Sequence, residues 1–245
     1  MTLIEAESSL LLHERRREIY CRGDTVTNLQ VQRVMGVSGI LMGLAVLLTI
    51  PLFFIYSGPP PAWNVLTRDL ITLVSLASML VFVACFSHQI RRADMTLDWI
   101  ASIVYGAGML YVAVALVATA HEAGVVFGAP DGTLDPTTDG VLAHANILIH
   151  GSIKRLLTAI MLVSAGYAVL RTKMLPTWVA WSSYIIAACN LAFVPSLFFS
   201  IDVTKFYSAH GWGNSALVGG FLGYWILAVG IASLMQRPLS DRNDP

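Results

Sequence analysis

Six long apolar blocks dominate this chain: Val34 to Tyr56, Leu70 to His88, Trp99 to Ala120, about Leu142 to Leu170, Trp178 to Ser200, and Ser215 to Met235. A hydrocarbon core about 30 Å thick is crossed by roughly 20 helical residues, so each block is long enough to span it. The pattern predicts an all-α fold, a polytopic transmembrane bundle. A polar segment, residues 1–33, precedes the spanning region at 34–235, and a short tail, 236–245, follows it. The first block ends in Phe54-Ile55-Tyr56-Ser57-Gly58-Pro59 without a small-x-small cleavage site. It is therefore expected to stay as a signal anchor.

Composition strengthens this reading. Apolar types make up 56% of the chain and charged types 12%, against about 45–50% and about 25% in soluble domains. Lipid is the apolar solvent and the bilayer the expected partner. The formal net charge is zero, so no overall field favours nucleic acid. Distribution is another matter. Arg15, Arg16, Arg17, Arg22, Arg33, Arg91, Arg92, Arg171, Lys173, Arg237 and Arg242 fall on one side of the alternating loops, whereas Arg68 and Lys205 fall on the other. Basic residues beside a span are retained in the cytoplasm. The imbalance predicts an N-in, C-in topology in the plasma (inner) membrane, with loops 57–69, 121–143 and 201–214 outside.

Small residues four apart let helices approach closely in lipid. Gly39 with Gly43, and Gly219 with Gly223, are expected to pack against helices of the same chain, with homo-oligomer formation the alternative. Pro51 and Pro195 are expected to kink the first and fifth spans. Arg92-x-x-Met95-x-x-x-Trp99 and Arg171-x-x-Met174-x-x-x-Trp178 share a spacing that reads as convergent anchoring of two turns. The stretch from Arg171 to Trp181 resembles connectors of bacterial multi-span proteins, and this implies no function.

Signals for chemistry are sparse. Cys21, Cys85 and Cys189 form no Cys-x-x-Cys pair, and no phosphate loop, nucleophile elbow or His-Glu-x-x-His occurs. His121, His144, His150 and His210 gather toward the outer face, but no two share a helical face at His-x-x-x-His spacing, so no metal site is assigned. In the loop 121–143, Asp131, Asp135 and Asp139 lack the EF-hand pattern, and Thr138 or Asp139 is expected to cap the following helix. Phe206, Tyr207 and Trp212 read as an interfacial belt first and a lid second.

The fourth span carries the sharpest feature. Asn146, His150, Lys154 and Thr158 recur every four residues and form a polar stripe, with Arg155 about 100° away. One reading sends both cations outward to phosphates or water. The other takes Asn146, His150, Lys154 and Arg155 as a ligand site for an anion or carbonyl, Lys154 supplying charge and Arg155 steadying the helix at the headgroups. Three functions compete: a non-catalytic subunit of a membrane complex, which leads because it needs no motif; a small-solute, lipid or quinone binding or transport protein using that stripe; and a membrane redox enzyme with outer histidine ligands. No cofactor is assigned.

Overall fold

The computed structural model describes residues 29–56, 59–129, 134–135, 139 and 142–236. Six helices long and apolar enough to cross a membrane make up almost all of it, with no strand among the described residues. They are α1 (Leu29–Leu52), α2 (Ala62–Ala93), α3 (Asp98–Gly128), α4 (Ala143–Thr172), α5 (Thr177–Phe198) and α6 (Gly213–Met235). The expectations for the segment before Leu29, including Cys21, for Asp131 and Thr138, and for the tail after Gln236 fall outside the described residues.

Several helices extend well beyond the apolar blocks that announced them. α2 starts at Ala62, eight residues before Leu70, and α3 continues to Gly128, eight beyond Ala120. A hydropathy window stops at charges, whereas a helix stops only where its backbone must. For α2 that point is Pro61, whose extended backbone serves as the N-cap and whose carbonyl accepts from the Asn64 and Val65 N–H groups. Arg68 and Asp69 therefore stand inside α2, and Glu122 inside α3, rather than in loops. Pro51 sits in the last turn of α1, and Pro195 converts the end of α5 to a 3₁₀ turn over Val194–Phe198. Both prolines end α-helical structure rather than kinking mid-span.

The short-turn end carries the connections α2–α3 and α4–α5. At the first, Asp94 is extended, and its carboxylate accepts from the N–H and hydroxyl of Thr96. Those bonds hold the Asp94 carboxyl below its usual range. At the second, Lys173 takes a left-handed conformation and Pro176 precedes the new helix. The two turns thus share an Arg, Met and Trp spacing but not a backbone path.

α2, α3, α4 and α5 pack as sequential neighbours around a core that includes Phe82, Val104, Leu162 and Val179. α6 joins through Trp225, whose ring meets Phe82 and Phe86 edge-on at 6.4 and 6.1 Å. α1 lies along α6 at backbone contact: a Cβ on Gly230 would stand 2.8 Å from the Gly36 carbonyl oxygen, and one on Gly39 3.0 Å from the Ile226 oxygen. Gly223 leaves room for Val46. The glycine stripes therefore serve packing within the chain. Outward faces carry exposed Leu48, Leu70, Leu110 and Ile185, a surface that suits lipid rather than water.

Candidate functional site

Charge inside the spans is confined to one wall. α5 and α6 contain no Asp, Glu, His, Lys or Arg, and α1 has only Arg33 at the short-turn end. Arg68 and Asp69 on α2, His121 and Glu122 on α3, and His144, His150, Lys154 and Arg155 on α4 supply the long-loop half of the bundle. At about 1.5 Å per residue, α2 and α4 are each about 45–48 Å long. Centred on a hydrocarbon core of about 30 Å, this puts Arg68 and Asp69 at the core margin and Lys154 roughly two turns inside it.

The arrangement begins with a break in α4. Gly151 has ψ −109°, outside the helical range, and Ile149–Ile153 widens into a π turn between the α-helical pieces Ala143–Leu148 and Lys154–Thr172. Glycine is needed here because a Cβ would lie 3.0 Å from the Ala209 carbonyl and 3.1 Å from the Asn214 amide nitrogen. Non-helical backbone at this depth is tolerated where it is enclosed by protein. α6 opens with a second π turn, Gly213–Val218.

Arg155 lies between these two turns and is 3% exposed. Its Nε donates to Asn214 Oδ1 at 2.9 Å, and its Nη2 donates to the Asn214 carbonyl at 2.9 Å and the His150 carbonyl at 3.4 Å. Asn214 in turn donates from Nδ2 to the Ala209 carbonyl at 2.9 Å and to Ser196 Oγ at 3.1 Å. Gly219 admits the guanidinium, since a Cβ there would stand 3.0 Å from Nη2. The expected headgroup role for Arg155 is thus corrected: the helix break turns this side chain into the bundle, where neutral dipoles hold it.

Lys154 occupies a different environment. Its ammonium is 3.3 Å from His150 Nδ1 and 5.1 Å from the centroid of the Tyr111 ring on α3. The side chain is half-buried. Neither Lys154 nor Arg155 pairs with a carboxylate among the described residues. Both cations stand in the first turn of a helical segment that has no acidic residue and no side-chain cap there. Along the stripe, Asn146 Oδ1 and Thr158 Oγ1 are buried without hydrogen-bond partners. Asn146, His150 and Lys154 thus share the inner side that their spacing predicted, and Arg155 reaches the same interior from the break.

A second polar group stands nearer the loops. Arg68 Nη2 donates to Glu122 Oε1 at 2.9 Å, with both side chains buried, and the guanidinium lies 4.3 Å from the Phe53 ring centroid. Beside them Asp69 is 7% exposed, and its Oδ2 has no partner. Arg68 Nε and His121 Nδ1 are likewise buried and unpartnered. Glu122 interacts electrostatically with Arg68, Asp135 and Lys154, which links this group to the α4 stripe. Sequence reasoning missed Arg68, Asp69 and Glu122 as site residues. The available signal was that opposite charges flank two successive apolar blocks on the same side.

The remaining expectations resolve locally. Asp139 accepts from the Asp135 N–H at 2.8 Å, and the N-cap of α4 is Leu142. Phe193 with Phe206 and Phe206 with Trp212 pack edge-on, and Phe193 meets Tyr207 at a tilt, with centroids 4.6–5.5 Å apart, folding residues 199–212 against the end of α5. Asp202 braces that loop by accepting from the N–H and hydroxyl of Thr204, which keeps its carboxyl below the usual range. His144 is exposed, and among the described residues no three His, Cys, Asp or Glu side chains gather as a metal site. Compared with models of known protein families, with curated proteins and with solved structures, the chain matches none.

Proposed function

We propose that this multi-pass membrane protein binds a small carboxylate-bearing or carbonyl-bearing solute at the polar cluster on α4, as a binding or transport protein. One observation carries the reading. Lys154 and Arg155 open the first turn of a helical segment, inside the bundle, hydrogen-bonded to neutral groups and with no carboxylate paired to either among the described residues. Intramembrane cations usually mark a ligand or ion path, and an interrupted helix presenting its positive end to an anion is a recurrent solution in transporters. Lys154 provides an ammonium, His150 and Asn146 provide hydrogen-bonding groups, and Tyr111 walls the site. The subunit reading asks only for packing faces and gives this polar cluster no task.

Thermal unfolding of the purified protein against a panel of short and medium-chain carboxylates tests the proposal. A bound solute stabilises by about 2.7 kcal/mol at a hundred times its Kd. At least one member should raise the melting temperature of the wild type and leave Lys154→Met unmoved. Equal stabilisation of both proteins, or none across the panel, defeats the reading.

A further inference from the structure

Asp69 follows Arg68 on α2, beside the buried Arg68–Glu122 ion pair. Arg68 gives one N–H to Glu122, its Nε faces no acceptor, and Asp69 Oδ2 is buried with no partner. With both carboxyls ionised, two negative charges face one positive charge within protein, and an ionised carboxylate that lacks compensation in such surroundings takes up a proton instead. The neighbouring elements offer no second cation at contact. α3 contributes Glu122 and the unpartnered His121. The chain just after α1 contributes the Phe53 ring, and α5 and α6 contribute no charged residue or histidine. α4 acts through Lys154 and the loop through Asp135, both on Glu122.

We infer that Asp69 and Glu122 form a proton-binding site on the loop side of the α4 cluster, and that one proton is taken up there for each carboxylate bound beside Lys154. The coupling rests on the proposed anion site; the proton site itself does not. The step makes one O–H bond on a carboxylate, the proton coming from water and returning to it on release, with no change of oxidation state. The link runs through Glu122. An anion beside Lys154 offsets the positive field that Lys154 exerts on Glu122, so the carboxyl pair holds its proton more tightly. By reciprocity a protonated pair holds the anion more tightly. Solute binding is then proton-coupled, which gives the buried ion pair and its orphaned carboxyl a place in the same function.

Two measurements on the full chain in lipid nanodiscs test this. Infrared pH-difference spectra of the wild type should contain a protonated-carboxyl band that disappears as pH rises. Asp69→Asn and Glu122→Gln should each remove that band, because either leaves a single carboxylate for the one guanidinium of Arg68. If Asp69→Asn fails to fold, Glu122→Gln reads the same band. Butyrate affinity, measured from about pH 6 to about pH 9 where butyrate stays ionised, should fall by about tenfold per pH unit above the titration of the pair. In Asp69→Asn it should be flat. Absence of a titrating band in the wild type, or its survival in both variants, overturns the proton site. Butyrate stabilisation that ignores pH, with no such band, leaves only the anion site standing. A titrating band with no butyrate stabilisation at any pH overturns the anion site and the coupling, while the proton site stands.

Discussion

Arg155 on α4 and Asn214 at the start of α6 hold each other through two hydrogen bonds of 2.9 Å, one to the amide oxygen and one to the backbone carbonyl. Irregular helix adjoins both residues: the break at Gly151 precedes one and a π turn contains the other. Asn214 also receives the loop 199–212 through the Ala209 carbonyl and the end of α5 through Ser196. One amide thereby fixes the cation, the loop and two helices, and it sets the geometry in which Lys154 faces the interior.

Replacing Asn214 with Leu leaves a buried guanidinium without its side-chain acceptor, while the backbone carbonyl at 214 remains. A hydrogen bond to a charged group is worth about 1.5–3 kcal/mol, so the variant should lose at least about 1.5 kcal/mol in thermal unfolding. Arg155→Met should lose a similar amount. The double variant should lose clearly less than the sum, because each change removes the other's unsatisfied partner. Strict additivity would mean that the pair does not act as a unit.

The α1–α6 contact predicts a contrast between two glycines. Gly230→Leu drives a side chain into the Gly36 carbonyl, whereas Gly106 has nothing within 4 Å of its Cβ position. Overpacking costs about 1–3 kcal/mol. Gly230→Leu should lower the melting temperature while Gly106→Leu does not, and equal behaviour would place the two helices further apart than described.

Acidification should weaken the long-loop end through His210. Burial holds its imidazole below its ordinary value of 6.5, and Asp135 partly opposes this. Protonation therefore favours the unfolded chain: the contribution is present above about pH 6.5 and is lost as pH falls toward the lowered value. Limited proteolysis of the loop 199–212 should accelerate over that interval in the wild type and not in His210→Gln. An identical pH profile for both proteins would assign the effect elsewhere.

The Arg68–Glu122 pair predicts an asymmetric outcome. Arg68→Gln leaves Glu122 and Asp69 buried without a cation, and breaking a buried pair from one side costs about 3–5 kcal/mol. Lowering the pH should restore part of that loss by protonating the carboxyls. A loss that does not depend on pH would show that the pair is solvated.

Much of the architecture was legible because apolar length alone specifies a span: each of the six predicted blocks corresponds to a helix, although α1 ends at Leu52, four residues short of Tyr56, and α5 at Phe198, two short of Ser200. The stripe Asn146, His150 and Lys154 was legible for a similar reason, since a four-residue repeat keeps one helical side. The ends of α2 and α3 were not, because hydropathy counts Arg68, Asp69 and Glu122 as breaks, whereas Arg68 and Glu122 compensate each other across two helices. Arg155 was misplaced by assuming an unbroken α4. The angle of about 100° from Lys154 holds on a regular helix, but Gly151 interrupts it, and the requirement for glycine there arises from Ala209 and Asn214, far away in sequence. Pairings of that kind have no local signature.

The central claim is that Lys154 supplies the charge for a bound carboxylate. Equilibrium binding of radiolabelled butyrate to purified wild type and to Lys154→Met, at matched ionic strength, tests it most directly. Met keeps most of the apolar stem and removes the charge, so the account predicts saturable binding in the wild type and at least about a tenfold loss in a variant that folds normally. Saturable binding of equal strength to both proteins would contradict it.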